Sequence, residues 1–589
     1  MRRFIVVAAF VATVAATVGL ARAADPPLPE ANFAKTLTPR PCAAEKGNPY
    51  EQSIFAKEGW AAPAYVRYPV ACQRLRFAFG PLTVKPGQND VLVQPITVEK
   101  PAYDGYITRM RANLVLPDGS VPPIEQMHLH HGTWLSLTNE YGSGPFFAAG
   151  EEKTYDDIPR GYGMPVKGSD QWQLLYMVHS AVPQPSQVFI TYDIDYIPKA
   201  VAEAAPINMK PAYPLWLDVR NGSSYPVFNA QRGFGANGTC TWPAQACAAF
   251  DPWGNTSAGQ GRPPDRPGND MRLPKAGGSL GAMKNFRGGT LIGIGGHLHP
   301  GGIADDIDLV RGGQSRRIFT SEAEYWSRAD HTKLGGPANS WDFSMTVTGL
   351  PRWGVHVRPG DAIRINATYD TTTQATYEDM GIAVAYIAPD RPDGTPTAPS
   401  MDPFAAPVDT SIDCASGGLA ARPAPTLCTR GVITHGHLPE ASNYGRAGGT
   451  LTPKRGGVVS QVEITGFTYL EGDLSNVSMT GVPRVKLGSR LQFVNEDAAG
   501  DIYHTITTCS YPCLGPTGVA FPLADGRTSL GRSLDLDSAE LGYGPPIGPA
   551  RNAADWSVDV TAANGYKPGE VVTYFCRIHP FMRGAFAVS

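Results

Sequence analysis

The sequence predicts a mostly β protein on three observations. Gly and Pro are abundant (65 and 54 residues), long amphipathic helical patterns are hard to find, and apolar residues alternate over short runs bounded by turn formers. At 589 residues the chain exceeds what one hydrophobic core supports, so two to four domains are expected. Lys and Arg (50) nearly balance Asp and Glu (53), which leaves no basic field and argues against nucleic acid as a partner.

The first stretch, MRRFIVVAAFVATVAATVGLARAAD, places two arginines before an apolar run and Ala21-Arg22-Ala23 after it. This is the layout of an export signal cleaved after Ala23, or of a membrane anchor if the run is kept. No later segment is apolar enough to span a bilayer, so a periplasmic or extracellular protein is expected. Cysteine usage agrees with an oxidising compartment. Of nine cysteines, Cys240 and Cys247, Cys414 and Cys428, and Cys509 and Cys513 lie close in sequence, and Cys42 with Cys72 can form a fourth pair. That pairing, which sequence cannot prove, leaves Cys576 alone.

From about Gly456 the chain reads as short alternating strands, VVSQVEITGFTYL, VPRVKLGSRLQFVNED, IYHTITTC and GEVVTYFCRIHPFMRGAFAVS, the pattern of a small β-sandwich. The last of these carries Cys576, His579 and Met582 at three-residue spacing. A blue-copper site needs two imidazoles and a thiolate in one plane with a weak axial thioether, because soft sulfur donors ease cycling between the two copper states. One tight loop can supply three of these donors, and His504 in NEDAAGDIYHTI is the candidate for the fourth. A structural zinc site would favour another thiolate or imidazole over a methionine. The module resembles the cupredoxins, and CRIHPFMRG is similar to the short copper loop of amicyanin. The resemblance covers roughly the last quarter of the chain and implies a cupredoxin β-sandwich with a type 1 copper on His504, Cys576, His579 and Met582.

The remaining histidines are not scattered. His128, His130 and His131 stand in QMHLHHGTWL, His179 in QLLYMVHSAV, and His297 and His299 in GIGGHLHPGG. Residues two apart on a strand share a face, so a His-x-His offers two imidazoles to one ion; solvated or hydrogen-bonded histidines are the plainer alternative. In order, a His-His pair, a lone His after an apolar strand, a His-x-His and Met380 in YEDMGIAVAYIAP resemble the copper type II monooxygenases, which include peptidylglycine α-hydroxylating monooxygenase and dopamine β-monooxygenase. The match spans roughly Lys85 to Pro389. It implies two jelly-roll β-sandwich domains, each with one copper. His130, His131 and His179 would hold the first, which stores and relays an electron. His297, His299 and Met380 would hold the second, the catalytic one, where dioxygen and substrate meet. His128 lies outside the transferred set, as a supporting group or an alternative ligand.

Two departures from the family bear on substrate. Gly295 stands where the peptide-specific enzyme has an Arg placed for a substrate carboxylate, and Val384 where it has a Tyr. An apolar or neutral small molecule, or a polymer, is therefore as open as a peptide. His331 and His356 stand alone and read as surface or strand histidines; His435 and His437 in VITHGHLPE bind metal or support a domain junction. The expected division is a signal peptide (1–23), a first copper domain (24–205), a second (206–403) with a Gly-, Pro- and Asn-rich insertion at about 221–284, a linker (404–455) and the cupredoxin (456–589). The implied function is a dioxygen-dependent C–H hydroxylating monooxygenase. It would use about three coppers, one type 1 and two type 2-like, with an external electron donor and a built-in blue-copper relay. A copper carrier or electron shuttle without oxygen chemistry, or a carbohydrate- or polymer-binding scaffold with incidental histidines, are the other readings.

Overall fold

The computed structural model describes residues 37–42, 71–86, 88, 91–122, 127–137, 144–150, 156–180, 184–220, 227–230, 233–248, 269–280, 283–325, 343–348, 353–371, 376–405, 432–433, 456–473, 482–500, 502–506, 536, 538, 541–542, 553–576, 579 and 582–589. Among them the only α-helix is the four-residue Lys199–Ala202, and the remaining regular structure is strands and two 3-10 turns. No helix of the described residues is long and apolar enough to cross a membrane. Cys42 is bonded to Cys72 and Cys240 to Cys247, while Cys576 is a buried free thiol. These disulfides fit an oxidising compartment. The export signal and the Cys414–Cys428 and Cys509–Cys513 pairs lie outside the described residues.

The main strands of the first unit are β1 (Gln73–Val84), β2 (Val91–Val98), β3 (Gly105–Val115), β4 (Met127–Ser136), β5 (Gly144–Gly150), β6 (Trp172–Ser180) and β7 (Ser186–Pro198). β1, β7 and β3 are neighbours in a seven-stranded sheet, and β2, β6, β4 and β5 form a four-stranded one. Alternation in β7 shows why they stack. Ile190, Tyr192, Ile194 and Tyr196 enter the core together with Leu129, Trp134, Leu174 and Val178 of the smaller sheet, as the two-residue period of a strand requires.

The outer face of β7 carries charge instead. Asp193 lies directly opposite Arg76 on β1 and Arg111 on β3, and accepts from both guanidinium groups. Asp195 pairs in the same way with Arg74. Such cross-strand pairs fix register, because a one-residue slip would turn every carboxylate into the core.

The second unit is built on β8 (Gly289–Leu298), β9 (Gly302–Arg311), β10 (Ala362–Asp370) and β11 (Gly381–Pro389), which belong to an eleven-stranded sheet. Ile294 and Leu298 of β8 and Ala383, Ala385 and Ile387 of β11 face its own core. The opposite face does not meet solvent. Ile292, Val384, Tyr386 and Ala388 join the apolar cluster of the first unit, and the Tyr386 hydroxyl donates to Asp156 across the junction. A third, separate core gathers β12 (Gln461–Thr465), β13 (Ser489–Asn495), β14 (Asp555–Val560), β15 (Val571–Phe575) and β16 (Arg583–Val588).

Burial alone would raise the pKa of Asp193, but the bonds and charges of Arg76 and Arg111 outweigh it and hold the carboxyl well below the usual range. Asp193→Asn is therefore expected to destabilise the first unit by about 3 kcal/mol in denaturant unfolding at neutral pH. A depressed native pKa contributes stability above the ordinary carboxylate pKa of about 4 and loses it as pH falls further. The difference from wild type should accordingly shrink by about pH 3; a difference unchanged by acid would place the stabilisation elsewhere.

Candidate metal centres

The C-terminal core closes around three donors. Cys576 follows β15, His579 comes three residues later, and His504 arrives on a separate segment held by a bridge to Leu541. Asn495 fixes that segment by donating to the carbonyls of Ile502 and Leu541. Cys576 Sγ lies 3.8 Å from His504 Nδ1 and 3.7 Å from His579 Nδ1, and the two nitrogens are 3.1 Å apart. The circle through these atoms has a radius of about 2.1 Å, an ordinary metal–nitrogen bond length. Two imidazoles and a thiolate at that spacing fit a copper ion in a trigonal plane. Met582 is fully buried in the same core, and its N–H donates to the His579 carbonyl, so the loop folds back at the expected axial residue.

The surroundings favour a thiolate. The N–H groups of Thr505 and His579 donate to Cys576 Sγ at 3.3 and 3.4 Å. Burial alone would raise the thiol pKa, yet His504 and these donors outweigh it and lower it. Burial likewise opposes charging His504, but the Asp497 carboxylate and the Cys576 sulfur raise its pKa to about 9. Asp497 Oδ2 lies 3.0 Å from His504 Nε2 and also accepts from Phe467 N–H, while Oδ1 accepts from Gly466 N–H. Phe467 itself sits at φ 59°, an uncommon backbone region for a side chain of that size. Its ring meets both His504 and His579 edge-on, at 5.5 and 5.0 Å.

Upstream, a bulge in β4 decides which way the histidines point. His128 pairs with His179 and Leu129 with Val178, but the next partner, Met177, faces His131, which leaves His130 as the extra residue. Met127 and Leu129 face the core before the bulge and Trp134 after it. The phase change therefore puts His128, His130 and His131 on the same outer face, although two of them are adjacent in sequence. His179 lies on that face as well, its Nδ1 3.2 Å from His128 Nε2.

The His-x-His of the second unit arrives from the other side. Ser321 and Asp305 pack against the backbone of Gly296, where a Cβ would lie 2.6 Å from Ser321 Oγ and 2.9 Å from Asp305 Oδ2. Asp305 accepts from His297 N–H, and the Tyr369 hydroxyl accepts from His299 N–H while donating to the Met380 carbonyl. The register of β8 with β11 sets His297 opposite Ile382 and Leu298 opposite Gly381, beyond which Tyr369 links His299 to Met380 through its hydroxyl. Met380 is buried in a small cluster with Val227 and Ile382, with Trp216 packed against it. Gly295 and Val384 prove to be direct cross-strand neighbours.

The two groups of histidines meet. The rings of His130 and His299 are 4.5 Å apart, those of His131 and His299 6.4 Å, and those of His297 and His299 5.2 Å. Burial, and then His299, His131, His128 and His179, hold the pKa of His130 well below its ordinary value. Burial, helped by His297, lowers His131 to about 3, and burial lowers His179 to about 4. All three are neutral at physiological pH, the form that binds metal. The His179 ring also lies 6.3 Å from that of His579, so the two centres are adjacent.

Asp305, Tyr369 and Asp497 carry no motif and escaped the sequence reading; only the fold brings them to the ligands. His356 sits on a short strand with Nε2 3.0 Å from Asp390, a strand histidine as expected. His331, His435 and His437 lie outside the described residues. Cys42, Cys72 and Asp195 also come together, but both sulfurs are consumed by a disulfide.

No family model matches the chain, and no curated protein matches it. Among solved structures it is similar to an oxidised amicyanin variant (21% identity, TM-score 0.12, covering 22% of this chain and 80% of that one). A purple cupredoxin from Nitrosopumilus maritimus (15%, 0.12, 22% and 100%) is also similar. So is a copper-containing nitrite reductase from Thermus scotoductus SA-01 (16%, 0.13, 49% and 55%). Likenesses this distant assign no function; the donor set at His504, Cys576 and His579 is what marks a candidate type 1 copper site.

Cys576→Ser is expected to abolish the blue absorption of the copper-loaded protein. Asp497→Asn should keep the colour and raise the reduction potential, because a carboxylate bonded to a ligand imidazole favours the oxidised, more highly charged ion. An unchanged potential in redox titration would mean that Asp497 only orients His504.

Proposed function

We propose that the protein is an exported copper oxidoreductase in which the C-terminal site relays, one at a time, two electrons from an external reductant to the upstream imidazole cluster, where one atom of dioxygen enters a substrate C–H bond and the other leaves as water. The observation that carries this reading is the adjacency of His579 and His179, 6.3 Å between ring centroids. A blue-copper site built only to exchange electrons with a soluble partner would present a ligand imidazole to solvent. Here His579 is fully buried and faces a histidine of the other cluster.

Copper at these positions would supply one-electron redox chemistry and dioxygen activation. The chain's own groups do the rest. Cys576 and His504, both fully buried, would hold the relay ion, with Asp497 orienting His504. His128 steadies the ring of His179, and Asp305 and Tyr369 fix the backbone that presents His297 and His299. Gly295 and Val384, cross-strand neighbours on the face of β8 and β11 that carries His297, supply no cation for a substrate carboxylate. That chemistry suits an apolar or neutral substrate better than a carboxylate.

The test follows the blue absorption of copper-loaded protein through reduction by ascorbate and mixing with air-saturated buffer. The colour should return as dioxygen is consumed, and the hydroxyl of any product should carry label from isotopic dioxygen. Met380→Ala should keep the blue colour yet slow dioxygen consumption by about tenfold to a hundredfold. If Met380→Ala and wild type consume dioxygen equally, Met380 does not serve the reacting centre. If neither consumes it, the chain is a copper carrier or electron shuttle.

A further inference from the structure

We propose that His130, His131 and His299 together hold one copper ion, which therefore ties the first β unit to the second. One ring nitrogen from each lies within 4.8 Å of the other two. The division expected from family resemblance would instead put His130 and His131 with His179, and His299 with His297. Nitrogen positions favour the crossing arrangement: among the described residues no group of that spacing includes His179 or His297. The rings of His130 and His299 are 4.5 Å apart, while those of His131 and His299, at 6.4 Å, are as far apart as those of His130 and His179. His179 is meanwhile engaged by His128 at 3.2 Å.

The supporting structure is built for such a junction. The bulge in β4 turns His130 and His131 outward together, and the buried Nδ1 of His131 has no hydrogen-bond partner among the described residues. Tyr369, bonded to both the His299 N–H and the Met380 carbonyl, fixes where the third imidazole emerges from the second unit. Below the histidines the two units already share an apolar cluster through Ile292, Val384, Tyr386 and Ala388. The ring positions are thus fixed from both sides. Three imidazoles suit a divalent ion with an open position, and among common ions copper binds nitrogen donors most tightly.

This inference rests on the copper reading above but not on its oxygen chemistry, and the test separates them. Full-length protein is loaded with copper(II), freed of excess, and its metal content and electron paramagnetic resonance spectra are compared for wild type, His131→Ala, His299→Ala and the double variant. A shared ion predicts that each single variant loses one type 2 copper per chain, that the double variant loses no more than either single one, and that the blue signal stays. Copper should also raise the melting temperature of wild type above that of the metal-free protein by more than it does in either variant. Additive loss of two type 2 coppers in the double variant would overturn the shared site even if dioxygen is consumed. Full retention in both single variants would overturn it as well. Should circular dichroism show either alanine variant misfolded without metal, His131→Gln and His299→Gln are judged by the same criteria. A shared ion without dioxygen consumption would leave the site standing and remove the monooxygenase.

Discussion

The constraint on which the rest of the structure depends is the burial of a run of imidazoles in mutual contact. From His504 the rings pass to His579 at 4.9 Å, to His179 at 6.3 Å, to His130 at 6.4 Å and to His299 at 4.5 Å. A buried imidazole is costly to charge unless an anion lies beside it. His504 has one in Asp497, which together with the Cys576 sulfur pushes its pKa upward. His130, His131 and His179 are forced neutral, so their lone pairs are available to a metal ion.

Sheet geometry supplies the means of gathering them. On a regular strand, adjacent histidines would point to opposite faces and only one could serve a given ion. The extra residue in β4 cancels one step of that alternation and keeps Met127, Leu129 and Trp134 in the core while His128, His130 and His131 share the outside. In the second unit, Gly296 removes the side chain that would hold Asp305 and Ser321 away from the backbone before His297. Both devices sit next to the ligands, as bulges and close-approach glycines often do in functional sheets.

The C-terminal centre follows a different logic. Its donors come from one short loop plus one separate segment, and rigidity comes from groups around them: Asn495 on two carbonyls, Asp497 on two N–H groups and a ring, and Phe467 against both imidazoles. Donor atoms already spaced for an ion need little rearrangement between its two oxidation states. Fast electron exchange depends on that.

Much of this was legible in the sequence. Strand alternation and turn residues announced an all-β chain, cysteine arithmetic isolated Cys576, and the spacing of Cys576, His579 and Met582 pointed to a soft-metal loop, because each of these signals is local. Register and packing are not local. The bulge at His130, the pairing of Gly295 with Val384, the approach of His299 to His130 and of His579 to His179, and the supporting role of Tyr369 join segments tens to hundreds of residues apart. Asp305 and Asp497 lie only eight and seven residues from the histidines they support, but no spacing rule marks them. The sequence by itself determined which residues can bind metal. Only the tertiary structure decided which of them meet, because their grouping depends on how sheets stack across a junction that no local pattern records.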